Sequence, residues 1–346
     1  MKKRHLISAV AMLLALMLLG LSCGALAESE TCGVLSYLNM TEEEDNSIGI
    51  SVRQPFLKML FLHGVFENES GFPSAPPVFR QYDSLNAMLM GLQSQEVNVI
   101  IVPYYTGKYL CSVNDRLKMW ANYHPEKVAG LAKYAFGSIS DGYSFMMKEG
   151  NAALRDAFDE QITAMKEDGT LQKLIDEHII KVSEGGEPVA IAFEKFEGDP
   201  IKIAVTGSLP PMDYVAADGT FAGFNTAVLS EIGKRLQKNI ELVQVDSVGR
   251  AMALSEGTVD VVFWTRGASE RIAENQHKNG KPTEEEREAR RARERETMTD
   301  EEKAILDQNG IADRATLDKM YARDLPEGTI ITQPYFTDFP VWVVLK

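Results

Sequence analysis

The chain is poor in the residues that would assign a chemistry at once. It has three cysteines and five histidines in 346 residues. His63, His124, His178 and His277 share no metal-ligand spacing with one another or with cysteine. No Gly-x-Ser-x-Gly or Walker pattern occurs, so acyl transfer and nucleotide hydrolysis lack their signatures. Carboxylates abound, but no sequence rule pairs two of them for acid–base work. No metal or cofactor is therefore expected. Basic residues are also scarce: 36 Lys and Arg face 50 Asp and Glu, a net charge of −14. A chain this acidic lacks the basic face that grips phosphate backbones, which argues against nucleic acid as a partner. Beyond residue 22 no apolar run approaches the ~18 residues of a membrane span.

What is present is ordinary globular usage, 45% apolar and 25% charged. At about 150 residues per domain, the length suits one large two-lobed domain or two ordinary ones. The N-terminus reads as a secretion signal over 1–27. Lys2, Lys3 and Arg4 precede an apolar stretch from 6 to 22, and Ala25-Leu26-Ala27 fits a signal-peptidase site. Cutting there removes three positive charges and no acid, taking −14 to −17. A lipid anchor at Cys23 is the rival, weakened by Gly20 where a lipobox wants Leu. The protein is expected to be exported, extracellular or at the cell surface. Export permits a bridge between Cys32 and Cys111; the alternative is two separate small core residues.

The body alternates strand and helix patterns, which implies an α/β fold with parallel-dominated sheets. Gly33 to Leu35 is a strand, and Thr41 with Glu44 a capping box. Residues 66–78 hold Asn68, Gly71, Pro73, Pro76 and Pro77, so they read as loop. Asp83-Ser84 opens a helix on Leu85, Met88, Leu89 and Leu92, followed by a buried strand from Val97 to Val102. A helix over 151–166 ends at Gly169, and Thr170 starts another. Residues 183–200, with three glycines and two prolines, form the best linker. Then come a strand at 201–205, a turn to Pro211, a hairpin tip at Asp218-Gly219, a helix from Thr226 to Leu236 and a strand from Ile240 to Val245. A helix from Val248 to Leu254 leads into the strand from Val259 to Trp264. Two stretches echo each other: Ser84-Leu85, Leu92 and Val97-Asn98-Val99 repeat as Ser247-Val248, Leu254 and Val259-Asp260-Val261.

Residues 272–328 differ. Glu284 to Glu296 is nearly all Glu, Arg and Ala, with a capping box at Thr283 and Glu286 and opposite charges at helical spacing such as Glu286 with Arg290. The readings are a docking surface or a solvated helix inserted into a loop.

Ile201 to Trp264 resembles the first lobe of extracellular solute-binding proteins of ABC importers, polar amino-acid type (family 3). The resemblance rests on Pro210-Pro211, Asp218-Gly219, Gly223-Phe224-Asn225 and Asp260. Gln333-Pro334-Tyr335-Phe336 with Val341 to Val344 is similar to the strand that crosses into the second lobe. Residues 33–180 resemble the remainder: Gly33-Val34-Leu35 the opening strand of the second lobe, Asp83 to Leu110 the segment returning through the second hinge. Tyr143-Ser144-Phe145, Leu154 to His178 and Asp168-Gly169-Thr170-Leu171 resemble the closing strand and helices. The order is rotated, so the resemblance implies a circularly permuted, two-lobed periplasmic-binding-protein-like fold (type II). Its parts are 28–182 (second lobe and return helices), 183–200 (linker), 201–271 (first lobe), 272–328 (charged helical insertion) and 329–346 (crossing strand). Two truncated tandem domains are the other possibility.

The resemblance places ligand contacts between the lobes. It implies Arg271, with Arg266 as rival, as the carboxylate grip, because a guanidinium fork donates two parallel hydrogen bonds. Trp264 and Thr265 occupy the strand end, and Ser208 and Leu209 the turn. Three departures stand out: Leu209 replaces the stacking aromatic, Pro103 the acidic partner of a ligand ammonium, and Leu38-Asn39 the Gly-Thr pair. The expectation is a ligand without a free α-ammonium, or a site rebuilt from Tyr37, Asn39, Tyr104 and Tyr105. The implied function is capture of a small polar solute (an amino acid or related) by a monomer that hands it to a membrane permease, without catalysis. The alternatives are a degenerate binding domain acting as a protein-interaction module, and a dehydratase-like enzyme on the same fold.

Overall fold

A computed structural model of the protein describes residues 30–35, 41–48, 53–73, 75–216, 218–246, 249–264, 283–308 and 325–346. Residues 1–27, read from the sequence as a secretion signal, and Cys23 lie outside these residues. Eleven strands build the two main sheets. They are β1 (Thr31–Leu35), β2 (Val78–Tyr82), β3 (Val99–Pro103), β4 (Leu117–Met119), β5 (Asp141–Lys148), β6 (Ile201–Val205), β7 (Ile240–Gln244), β8 (Val261–Trp264), β9 (Thr329–Ile331), β10 (Phe336–Asp338) and β11 (Pro340–Leu345). The helices used below are α1 (Gln54–Leu62), α2 (Leu85–Gln93), α3 (Tyr104–Val113), α4 (Gly130–Ile139), α5 (Ala152–Glu167), α6 (Phe224–Leu236), α7 (Gly249–Glu256), α8 (Glu284–Glu296) and α9 (Asp300–Gln308).

The second-lobe sheet runs β2-β1-β3-β11-β4 and the first-lobe sheet β7-β6-β8-β5-β9. These are one pattern twice. In each, the lobe's opening strand pairs in parallel on both sides, β1 with β2 and β3, β6 with β7 and β8. In each, one antiparallel strand arriving from the other lobe closes the set: β11 between β3 and β4, β5 between β8 and β9. The fold is thus α/β and two-lobed, with parallel-containing sheets. The chain crosses between lobes at the start of β5 and again between β10 and β11. There the two crossing stretches pair antiparallel, Phe336 with Tyr143 and Asp338 with Asp141.

Local chemistry explains most element ends. Thr41 and Glu44 form the reciprocal capping box. Ser84 caps α2 by accepting from Ala87 N. Gly169, at φ 79°, ends the helical run of α5 and opens the next. The segment from 184 to 200 contains no helix or strand, yet it is held to the first lobe. Asn239 Nδ2 donates to the Phe196 and Gly198 carbonyls, and Ser230 Oγ donates to Ala192 O. The stretch read as loop over 66–78 contains a two-residue strand, Phe66–Glu67, and its last residue begins β2. The prolines hide β2 because it is an edge strand with polar Arg80 and Gln81.

Each lobe has its own core. Phe145, Phe158, Ile203, Phe224, Val261 and Tyr335 anchor the first; Phe56, Met59, Leu92, Ile100 and Val343 anchor the second. Cys32 is buried in β1 and Cys111 is half-buried in α3; both are free thiols, so no bridge joins them. The insertion departs most from the sequence reading. The described side chains of α8 are mostly exposed, as a solvated helix requires, while those of Glu286 and Arg290 lie outside the described ones. α9 is not solvated: its Ile305 and Leu306, with Met298 just ahead of the helix, are part of the second-lobe core. Among the described residues no helix is long and apolar enough to cross a membrane.

Candidate functional site between the lobes

A cavity of about 110 Å³ lies where the strand ends of both lobes meet the crossing strands. The second lobe contributes Leu35, Ser84, Leu85, Val102 and Pro103. The first contributes Thr206, Ser208, Leu209, Asp213, Asn225, Arg250 and Phe263, and the crossing strands Asp141, Tyr143, Asp338 and Phe339. This is the crevice at the carboxyl ends of parallel strands where α/β folds bind ligands.

The first-lobe wall is built from a local turn. Gly223 sits at φ 102°, and a Cβ there would lie 2.7–2.8 Å from the Met212 and Pro211 carbonyls. Only glycine permits that approach. It lets Asn225 N reach Met212 O and seats Asn225 at the start of α6. Tyr335 Oη donates to Asn225 Oδ1 at 2.8 Å, orienting the amide. Asp213 Oδ2 accepts from Thr206 N and Thr206 Oγ1, both at 2.9 Å, and Oδ1 accepts from Gly207 N at 3.2 Å. Burial pushes the Asp213 carboxyl up; these donors and Arg250 oppose it. Arg250 Nη1 donates to Phe263 O at 2.9 Å. Burial lowers its pKa and the Asp213 charge counters that.

The hinge wall is acidic. Asp338 is 2% exposed. Its Oδ1 accepts from Phe339 N at 2.8 Å and its Oδ2 from Tyr105 N at 3.3 Å, at the start of α3. Burial raises its pKa to about 7 despite those donors, and the Asp141 charge adds to the rise. Arg250 and Asp213 each oppose the other's burial shift, and Asp141 and Asp338 line the same cavity. Carboxylate oxygens there can accept hydrogen bonds from a ligand's donors.

The structure distributes the sequence candidates unevenly. Ser208 and Leu209 line the cavity, and so does Pro103. Tyr104 packs its ring on Phe339, 4.8 Å between centroids, and Tyr105 packs near Phe336 at 5.9 Å, both as hinge packing. Trp264 ends β8, with its side chain outside the described residues; Tyr37, Asn39, Thr265, Arg266 and Arg271 lie wholly outside them. Sequence reasoning missed Arg250, Asp213, Asp141 and Asp338. A usable signal existed for one: Asp213 comes two residues after the Pro210-Pro211 pair. Among the described residues no group of His, Cys, Asp and Glu could hold a metal. His63 pairs with Glu302, and His178 is buried on its helix with its pKa lowered by burial.

Strand order, hinge and cavity together define a two-lobed binding-protein fold. Residues 201–274 match the model of bacterial extracellular solute-binding proteins, family 3. A search of curated proteins finds no sequence match. Among solved structures, the ligand-binding component of an ABC-type import system from Staphylococcus aureus aligns at 11% identity and TM-score 0.32. That alignment covers 68% of this chain and 54% of that one, so this chain spans about half of its length. A phosphate-binding protein from Streptococcus pneumoniae aligns at 9% identity and TM-score 0.32, covering 92% and 89%. An ancestral arginine-binding protein bound to glutamine aligns at 10% identity and TM-score 0.34, covering 92% and 84%. At such scores the superpositions carry no weight for function.

Proposed function

We propose that this protein is the exported solute-capturing component of an ABC importer, working as a monomer that closes its two lobes on a small polar solute. The observation that supports it is the cavity itself, lined by both lobes and both crossing strands. Closure of two domains on a ligand at such a hinge needs no catalysis. The permease partner comes from the family matched by residues 201–274.

The solute is an amino acid or a related amine. Pro103 stands where an acid would pair with a ligand ammonium, and the carboxylate assigned to that end is Asp141, which lines the cavity from a crossing strand. Arg250, Asn225 and Ser208 are assigned to the other end of the solute. The segment order is read as a circular permutation: the second lobe comes first, 184–200 joins the old ends, and both lobes keep one strand pattern. The order of the lobes along the chain supports this.

A thermal-shift screen of amino acids, amines and carboxylates tests the reading. A ligand that binds only the folded state, at 100-fold over its Kd, adds about 2.7 kcal/mol of stability. A hydrogen bond to a charged group contributes about 1.5–3 kcal/mol, so Asp141→Asn is expected to weaken an amine about 10- to 150-fold. No shift across the panel, with cooperative melting intact, would sink the importer reading.

One observation keeps a second reading in play. A dehydratase-like enzyme needs a cleft carboxyl of raised pKa, and Asp338 has one. Both of its oxygens are engaged by backbone donors, which favours binding over proton transfer. Turnover of a bound solute, lost in Asp338→Asn, would reverse that preference.

A further inference from the structure

The cavity between the lobes is chemically divided. Its charged side chains, Asp213, Arg250, Asp141 and Asp338, come from the first lobe and the crossing strands, and so do Asn225 and Ser208. The second-lobe wall is different. There Leu35 ends β1, Ile101, Val102 and Pro103 end β3, and Leu85 opens α2. Phe339 continues that wall where the chain enters the second lobe. Ser84 carries the only side-chain hydroxyl among the described residues of this wall, and its oxygen accepts from Ala87 N at 3.2 Å as the cap of α2.

The fold accounts for this apolar wall. β1 and β3 are parallel neighbours with core on both faces: Ile100 and Val102 point to one cluster, Cys32, Val34 and Val99 to the other. Such strands take aliphatic residues throughout, and their last residues carry the pattern into the cavity. Leu209 extends it from the facing lobe. It sits in the turn after β6, yet it packs against the cores of both lobes, and its two-residue strand, Ser208–Leu209, lies against α2. Phe339 is backed by the rings of Tyr104 and Phe136, at 4.8 and 4.6 Å between centroids.

A solute lodged here meets two chemistries. An ammonium and a carboxylate find partners on the first lobe and the crossing strands. The rest of the molecule faces the second-lobe wall. A polar side chain there gives up its hydrogen bonds to water with too few partners in exchange. An aliphatic side chain gives up none and gains by leaving water. We infer that the solute is an aliphatic α-amino acid of the leucine or valine type, its side chain held in the corner formed by Leu35, Leu85, Leu209 and Phe339. The inference rests on the importer reading and narrows it.

Four probes test it, in two pairs of nearly equal shape: L-leucine with L-asparagine, and L-valine with L-threonine. Titration calorimetry on the full chain is expected to show the aliphatic member of each pair binding about 5- to 150-fold tighter. Leu35→Asn should remove most of that preference. If this variant does not fold, Leu209→Asn makes the same comparison from the facing lobe. Equal affinities within the pairs, or a preference for asparagine or threonine, overturn the aliphatic corner and leave the importer reading standing. An unchanged preference in a folded variant does the same. If none of the four binds while another amine of the thermal-shift screen does, the corner again falls alone. Silence across the whole screen removes both readings.

Discussion

The two lobes share a backbone plan down to single hydrogen bonds. α2 is followed by Gln95 at φ 62°, and α7 by Gly257 at φ 79°. After α2, Glu96 N and Val97 N both point to Gly91 O; after α7, Thr258 N and Val259 N both point to Ala253 O. Thr31 N then donates to Asn98 Oδ1, and Lys202 N to Asp260 Oδ2. Asn98 N and Asp260 N return the bond to the Thr31 and Lys202 carbonyls. The covers differ. The first lobe is roofed by α5 and α6, which follow its strands in the chain. The second lobe completes its roof over α1 with α9, an element that the chain supplies from the other lobe. Strand pairing thus tolerates little change, because every buried backbone group needs its partner. The apolar cover needs only to be apolar and of the right shape, so any segment within reach can provide it.

The largest test of this contrast is in the first-lobe core. Phe145 is fully buried and stacks on Tyr335, 4.6 Å between centroids. Phe145→Ala is expected to cost about 3–5 kcal/mol in urea unfolding, with the first lobe losing exchange protection before the second. Simultaneous loss in both lobes would show that they unfold as one unit.

The hinge belongs to neither lobe, and its signature is pH. Asp338 titrates near 7 in the fold, above an ordinary carboxyl at 3.8. Between those values the folded protein holds a proton that the unfolded chain has released. Its contribution is therefore full below about pH 4 and is lost as pH rises through 7. Urea midpoints should fall across that window, and Asp338→Asn should flatten the slope. A slope that survives the substitution belongs to another group.

Next in size is the borrowed cover. Leu306→Ala should cost about 2 kcal/mol or more if α9 is true core. A cost under about 0.5 kcal/mol, normal for surface sites, would return α9 to the status of a solvated insertion. The smallest effect compares the matched turns. Gly257→Ala meets only Lys148 Nζ, at 3.5 Å, so its cost is conformational, about 1 kcal/mol. Gln95→Gly should gain a few tenths, because the relief of φ 62° is offset by greater freedom in the unfolded chain. Equal and opposite shifts in the two midpoints would mark the turns as energetically equivalent.

Much of this was legible in residues that act locally. The echo of Val97-Asn98-Val99 in Val259-Asp260-Val261 marked the repeated helix-to-strand unit, and the structure places each pair at matching positions. Thr41, Ser84 and Gly169 act where their side chains or backbone angles suggest. Ser208 and Leu209 reach the cavity because they sit in the turn after β6. Asp141 and Asp338 were illegible, since 197 positions separate them and neither belongs to a motif. Arg250 sits on a helix whose apolar spacing marks it only as cover. In α9, Thr299 and Glu302 form the same capping box as Thr41 and Glu44, a signal masked by the charged run before it.

The sequence by itself determined the α/β class, the repeated unit and the positions of most helices and strands. Those follow from residue periodicity, capping and turn chemistry, which operate within a few positions along the chain. The tertiary structure alone decided the acidic hinge and the roof of the second lobe. Both depend on contacts between segments far apart in the chain, and their energies arise only once the sheets have brought those segments together.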